Sequence, residues 1–483
     1  MDNRPVIIGV GTIQQKGDYK SLDEALILMD IATKKAIKDT NNEDIKNFIE
    51  EIHIPKGYWR YRDPGKWIAT KNNFNDVKTS VYKIGVLQQS LLNSCCNKIL
   101  NKEIGASLIV GGEARYKLLL SQIKNKNFKE IELNENPNSY IKAKDDIHLD
   151  EEKAELGMMA VGYYAILESA FRYNKNISIS SQTDLVAEIY AYFSEIASKN
   201  KDAWADSPLD AIEIKNISEK NSFQAFPYNK YHCTSWNVNQ SAAIIICSEK
   251  IADDLDIPQE KRVYPLASSE NNHMIGTLQR PKLFEQHGMQ LAAKYILEIC
   301  QKLKIKPNFY DLYSCFPVAV QMFAESLNLN DYKKFTITGG MSFAGGPLNS
   351  YVLHSLAKMV SKIRETKDST GIVTGVSGMM TKQSYAILSN NPLMNFTHKD
   401  FTEFATKKEK PVEISSLKEG AGIVIGYTIL NETDGKYKAV IFLNCSDNKR
   451  KLITSDDMSI IKSMENKEWV GKKVYFKKNQ LVS

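Results

Sequence analysis

The amino-acid sequence opens with alternating signals for strands and helices. Residues 5–13 form an apolar run typical of a buried strand, and residues 22–38 carry apolar side chains at helical spacing. The same order returns with a strand signal at 79–84, a helical pattern at 86–100 and then the apolar run SLIVGGEA. Alternation of this kind predicts an α/β fold around a central sheet.

The remaining segments predict how the chain is divided. An acidic, Asn-rich connection followed by long helical patterns predicts a large insertion at about 115–240, inside a first half that spans 1–250. A second α/β block occupies 251–390. The tail, 391–483, consists of alternating apolar and polar runs, and Asp434-Gly435 between two of them is a strong hairpin signal. The tail is therefore predicted to be a small, separate β-rich domain resembling a partly closed barrel.

Composition limits the class of protein. The chain has 483 residues, 43% of them hydrophobic, which is enough for two or three domains with substantial cores. Lys and Arg total 63 against 57 Asp and Glu, and this small excess suits a phosphate-bearing ligand as well as RNA. The first residues lack the pattern of a secretion signal or a membrane span, so we expect a cytoplasmic protein. The 7 cysteines are scattered without a CxxC pair, which predicts reduced thiols and no metal site.

Several strings occur together in the order of a known family. The strongest are DLYSCFPVAVQ at 311–321, TGGMSFAGGPLNSYVLHSLA at 338–357 and the Thr-Lys of VSGMMTKQSY; VGGEA and FPYNKY support them. With these motifs the chain resembles the thiolase superfamily, most closely the thiolase-like type 1 branch, often labelled acetyl-CoA acetyltransferase. The resemblance implies a duplicated, layered αβαβα fold with an extra C-terminal domain, which we expect to be OB-like. It also implies acyl-CoA as substrate or ligand in lipid metabolism, with no covalently bound cofactor.

The groups that thiolase chemistry requires are missing from the matching positions. Acyl transfer needs a cysteine thiolate activated at a helix N-terminus, a histidine base and a second cysteine. The resemblance places the nucleophile at Ile84 or one residue either side, and the base at Gly346. Tyr313 stands where active relatives carry a histidine, and residues 375–378 contain no thiol. These substitutions predict weak or absent thiolase turnover.

Three residues remain as catalytic candidates. Cys315 lies within a matched motif, and His354 lies on the helix after the Gly-rich loop, so the two are a candidate thiolate and base. Tyr313 is a candidate donor to a developing oxyanion. The alternatives, a buried thiol, a helix-surface imidazole and a core tyrosine, remain open at this point.

Ligand-binding candidates cluster in the Gly-rich loop and beyond it. They are Gly345, Gly346, Pro347, Asn349 and Lys382. Glycines let backbone amides approach a carbonyl or phosphate, and a lysine supplies a cation. Tight turns and a solvated lysine are the structural alternatives.

Three functions are compatible with these residues. The chain is an atypical acyltransferase of the thiolase class, a non-catalytic binder of CoA, acyl-CoA or a lipid, or a protein whose C-terminal domain serves as an interaction module. The lysine pairs 472–473 and 477–478 suit a nucleic acid, but edge lysines more often protect strands, so nucleic acid is not expected as a partner. We expect a monomer or homodimer with no membrane span.

Overall fold

The computed structural model describes residues 3–143, 149–432 and 435–482. Its central strands are almost completely buried because their side chains are apolar on both faces. The strands are β1 (Pro5–Gln14), β2 (Ile49–Pro55), β3 (Lys78–Tyr82), β4 (Ala106–Ala114), β5 (Ser139–Ile141), β6 (Phe223–Ala225), β7 (Tyr228–Asn229), β8 (Asn239–Ser248), β9 (Tyr264–Asn271), β10 (Phe309–Asp311), β11 (Thr370–Ser377), β12 (Lys382–Ser389), β13 (Thr397–Asp400), β14 (Glu419–Asn431), β15 (Tyr437–Cys445), β16 (Arg450–Ser455), β17 (Lys473–Lys477) and β18 (Gln480–Val482).

The helices cover or separate the sheets, and most of them are amphipathic. They are α1 (Ala25–Asp39), α2 (Pro64–Asn72), α3 (Gln89–Leu100), α4 (Arg115–Ile123), α5 (Asp150–Leu156), α6 (Ala160–Asn174), α7 (Ile179–Ser198), α8 (Ala211–Lys215), α9 (Glu249–Asp254), α10 (His287–Leu303), α11 (Pro317–Ser326), α12 (Gly340–Phe343), α13 (Tyr351–Arg364), α14 (Gly378–Thr381), α15 (Thr402–Lys408) and α16 (Met458–Asn466). No helix in the described ranges is long and apolar enough to cross a membrane.

Two sheets with helices between them form the main body. The first has the order β1-β8-β4-β2-β3-β5, and the second has the order β10-β11-β12-β9-β13. Helices α3 and α13 contact strands of both sheets, while α1 packs on the outer face of the first sheet and α10 on the outer face of the second. The predicted layered αβαβα architecture is therefore confirmed.

The C-terminal strands close on themselves. Strands β14, β15, β16, β18 and β17 pair in a ring, and β14 also pairs with β15, so the predicted barrel is confirmed. The hairpin strands β14 and β15 are antiparallel, but Asp434 of the predicted turn lies outside the described residues. Strands β6 and β7, from the region predicted as an insertion, extend the barrel sheet at β14. Strand β13 lies beyond residue 390 and pairs with β9 of the second sheet. The domain boundaries themselves stay a prediction.

Candidate functional site

The segment before α3 is where the family resemblance places a nucleophile. The predicted helix begins at residue 86, which is wrong: α3 begins at Gln89, because Gly85 has φ +104° and the chain turns before the helix. The Ile84 side chain is 48% exposed. The carbonyl of Gly85 accepts a hydrogen bond from the buried Lys382 ammonium at 3.1 Å. This turn therefore contains no nucleophile and is held by a lysine from β12.

The first residues of α13 meet the same turn. Gln88 accepts a hydrogen bond from the Val352 amide at 2.7 Å, and its own amide lies 3.5 Å from the Asn349 side-chain oxygen. The Nδ2 of Asn349 is buried without a hydrogen-bond partner among the described residues. Among the predicted ligand-binding residues, Asn349 and Lys382 thus lie at the start of α3. Their binding role stays a prediction.

Cys315 and Tyr313 lie in a closed aromatic cluster. The ring of the next residue, Phe316, stacks on Tyr164 at 4.5 Å between centroids, and the Cys315 carbonyl accepts a hydrogen bond from Thr234 at 3.1 Å. Burial raises the pKa of the Cys315 thiol to about 12, and burial also raises the pKa of Tyr313. Both groups are therefore protonated at neutral pH.

His354 lies apart from that cluster. No hydrogen bond within the described ranges joins its imidazole to the Cys315 thiol. Burial lowers the pKa of His354 to about 4, so the ring is neutral at pH 7. A neutral imidazole can accept a proton, but here it has no thiol to take one from. The catalytic roles of Cys315 and His354 stay predictions, which the geometry does not favour.

The glycines of the loop before α13 are explained by close packing. A Cβ on Gly346 would lie 2.1 Å from the Thr234 methyl group, and a Cβ on Gly345, which has φ +96°, would lie 2.4 Å from the Gln240 amide oxygen. The Gly346 amide donates to the Ser235 carbonyl at 2.9 Å. The space that a histidine would occupy after Gly345 is therefore filled by protein atoms.

This packing leads to a prediction for Gly346→His, which restores the family's base in sequence. We expect no thiolysis of acetoacetyl-CoA and a loss of about 1–3 kcal/mol in the free energy of unfolding, because the side chain is forced against Thr234. Urea denaturation and a CoA-dependent absorbance assay measure the two quantities. Turnover by a variant as stable as the parent would contradict the expected result.

An open cavity of about 530 Å³ lies on the other side of this loop, at the free edge of β1. We call it the β1-edge cavity. It is bounded by strand β1, helix α1, the segment after α7 and one face of α13. Its lining consists of Val10, Gly11, Thr12, Ile13, Gln14, Lys35, Asp39, Asn200, Lys201, Asp202, Thr338, Ala344, Gly345, Tyr351, His354, Ala357, Lys358 and Ser361. Two predicted site residues, Gly345 and His354, are therefore brought together here.

Cations dominate the rim of the β1-edge cavity. Lys35 donates to the Thr12 carbonyl at 2.8 Å, and Lys358 donates to the Asn200 side-chain oxygen at 2.8 Å. Lys201 follows Asn200 on the same wall. Burial lowers the pKa of Lys358. The sequence signal for Lys358 is its position one helical turn after His354, which places both on one face of α13.

The carboxylates of the cavity already have partners. Asp39 forms ion pairs with Lys261 at 2.9 Å and with Arg364 at 2.6 Å. Burial opposes ionisation of Asp39, but the Arg364 guanidinium and Lys261 hold its pKa below the ordinary value. Asp202 accepts a hydrogen bond from the Thr12 hydroxyl at 2.8 Å. The rim therefore keeps an excess of positive charge.

The inner wall presents two polar atoms that find no partner within the described part of the chain. They are the Nε2 of His354 and the side-chain oxygen of Gln14, both buried. The Gln14 amide nitrogen donates to the Lys201 carbonyl at 3.0 Å, which fixes the direction of its oxygen. An unpaired buried polar atom costs about 1–3 kcal/mol. Such atoms at a cavity wall are suited to a polar ligand.

The neutral state of His354 has a consequence for stability. Its pKa is near 4 in the folded chain, against an ordinary value of 6.5 for histidine, so the unfolded chain takes up the proton first as the pH falls. We expect the free energy of unfolding to drop by about 1–2 kcal/mol between pH 7 and pH 5 from this group. Urea denaturation at both pH values measures the drop, which should shrink in His354→Gln. An equal drop in that variant would show that His354 is not responsible.

Comparison with solved structures identifies the architecture. A monomeric SCP2-thiolase-like protein type 1 from Mycobacterium smegmatis matches with a TM-score of 0.82 at 22% sequence identity, and the match covers 100% of this chain and 99% of that chain. The chain has the thiolase fold.

Other thiolases match a smaller part of the chain. The dimeric peroxisomal thiolase of Saccharomyces cerevisiae matches with a TM-score of 0.55 at 14% identity, over 81% of this chain and 98% of its own. A thiolase from Ascaris suum in complex with coenzyme A matches with a TM-score of 0.53 at 13% identity, over 80% of this chain and 99% of its own. The sequence matches no protein-family model and no curated protein. At these identities the likeness concerns the thiolase fold, and function must be argued from the site.

Proposed function

We propose that this thiolase-fold protein binds CoA or an acyl-CoA in the β1-edge cavity without thiolase turnover. The observation that carries the proposal is the combination of a lysine-rimmed cavity with a thiol that is unavailable for chemistry. Small-molecule sites are typically about 300–1,000 Å³, and the cavity of about 530 Å³ lies within that range. Lysine ammonium groups pair favourably with phosphates, and CoA carries three of them.

The absence of turnover follows from acid–base chemistry. A thioester intermediate requires a thiolate, but burial holds the pKa of Cys315 near 12. The positions that match the family's nucleophile and base are Ile84 and Gly346, whose side chains can neither attack a carbonyl nor accept a proton. An acyltransferase centred on Cys315 and His354, the other function predicted from sequence, therefore lacks its activated nucleophile.

Calorimetry and a turnover assay test the two parts of the proposal. Titration with CoA, acetyl-CoA and a long-chain acyl-CoA should give saturable binding, and release of CoA thiol should not exceed a no-protein blank. Cys315→Ala should leave the Kd unchanged, because that thiol lies outside the cavity. Absence of heat at millimolar ligand would remove the binding proposal. Turnover that disappears in Cys315→Ala would restore the acyltransferase.

A further inference from the structure

The charges around the β1-edge cavity separate it into two regions. Lys35 and Lys358 donate to neutral oxygens of Thr12 and Asn200, so neither hydrogen bond neutralises an ammonium charge. Lys201 adds a third cation to the rim. Asp39 is compensated by two cations of its own. The rim therefore attracts an anion, and a group with several negative oxygens can bridge the lysines.

The inner region suits a different chemistry. Gln14 presents an oxygen that accepts a hydrogen bond, and the neutral His354 ring presents Nε2, which donates or accepts according to its tautomer. An acyl chain or a thioether would leave both atoms unpaired in a dry contact, which is costly. Hydroxyl and amino groups, in contrast, would satisfy them.

From this arrangement we infer that the β1-edge cavity receives a nucleoside phosphate, with the phosphates at Lys35, Lys201 and Lys358 and the nucleoside against Gln14 and His354. The inference rests on the proposed function, since CoA carries such a group at one end. It deepens that proposal because recognition then depends on the nucleotide end, and the acyl chain contributes little. Acyl-CoAs of different chain length should therefore bind with similar affinity.

Fragments of the ligand provide the direct test. Calorimetry of the full chain with adenosine 3′,5′-bisphosphate should show binding that competes with CoA, while pantetheine should neither bind nor compete. Inorganic phosphate should compete only weakly, because it lacks the groups that pair with Gln14 and His354. Raising the salt concentration should weaken nucleotide binding, since the rim lysines supply much of the attraction.

Variants on α13 locate the site. Lys358→Ala should weaken nucleotide binding about tenfold, and Lys358→Arg should restore most of it, because the charge is kept. The matched control is Lys362→Ala, one turn further along α13, where the lysine pairs with Glu365 at 2.9 Å and does not line the cavity. It should stay within about twofold of the parent. His354→Phe should weaken binding of the nucleotide while leaving that of inorganic phosphate unchanged.

The outcomes separate this inference from the proposed function. Binding of CoA that is unaffected by adenosine 3′,5′-bisphosphate, or by Lys358→Ala in a protein of unchanged Tm, overturns the inference and leaves the proposed function standing. Binding of the bisphosphate without binding of CoA supports the inference and overturns the proposed function. Should neither ligand bind, both are wrong.

Discussion

Asp311→Ala is expected to lower the free energy of unfolding by about 3–5 kcal/mol. Asp311 ends β10 and is fully buried. Its Oδ1 accepts hydrogen bonds from the Thr336 hydroxyl at 2.9 Å, the Ile337 amide at 2.9 Å and the Thr338 amide at 3.1 Å. Its Oδ2 accepts a hydrogen bond from the Ser355 hydroxyl of α13. One carboxylate therefore ties together a strand, the loop before α12 and the central helix.

The expected loss is large because alanine leaves several buried donors without an acceptor. Burial raises the pKa of Asp311, and the hydrogen bonds from Ser355 and the loop oppose that rise, so donors and carboxylate depend on each other. Urea denaturation measures the change. Ser355→Ala is the matched control: it removes one donor and should cost about 1 kcal/mol. A loss below that of the control would contradict the assigned role.

The same substitution should also affect the β1-edge cavity. Thr338 lines the cavity, and Asp311 holds its backbone amide. We therefore expect weaker CoA binding by Asp311→Ala at temperatures where the variant is still folded.

Arg172→Ala is expected to lower the free energy of unfolding by about 3–5 kcal/mol as well. Arg172 is 1% exposed on α6, and its guanidinium lies 2.8 Å from the Glu468 carboxylate and 3.2 Å from the Tyr427 hydroxyl. Tyr427 belongs to β14 and Glu468 follows α16. The guanidinium thus joins the main body to the barrel, and alanine leaves Glu468 without its cation and opens a gap beside Tyr427.

Fluorescence of Trp469, next to Glu468, should report the change locally during urea denaturation. Lys175→Ala serves as the matched control, because Lys175 follows the same helix and its pair with Glu325 is exposed. Such surface pairs contribute about 0–1 kcal/mol. Glu468→Ala should also be strongly destabilising, because it leaves Arg172 with only the Tyr427 hydroxyl. Equal losses for Arg172→Ala and Lys175→Ala would show that the buried pair does not hold the barrel.

The layered architecture can be predicted from sequence because each layer depends on a local pattern. Strands β1, β4 and β8 are continuous apolar runs, and α10 and α13 carry apolar residues at helical spacing. The predicted start of α3 differs from the observed one by three residues because the left-handed turn at Gly85 has no strong signal in an apolar context. The pairing of β6 with β14 has no signal either, because short strands are recruited by their neighbours.

The candidate site is predictable only in part. His354 and Gly345 are identified from motifs, and both line the β1-edge cavity. Lys35, Lys201 and Gln14 escape sequence reasoning, since each is an ordinary polar residue within its own segment. They become a site only when the edge of β1, the end of α1 and the segment after α7 come together around α13.

What the sequence by itself determined is the absence of thiolase chemistry. Ile84 and Gly346 carry no thiol or imidazole, and the covalent structure of a side chain does not depend on the fold. Only the tertiary structure decided the states and neighbours of the groups that remain. Burial keeps Cys315 protonated and His354 neutral, and packing places them in different environments. The β1-edge cavity likewise arises from segments hundreds of residues apart, because long-range packing alone brings their polar atoms to one wall.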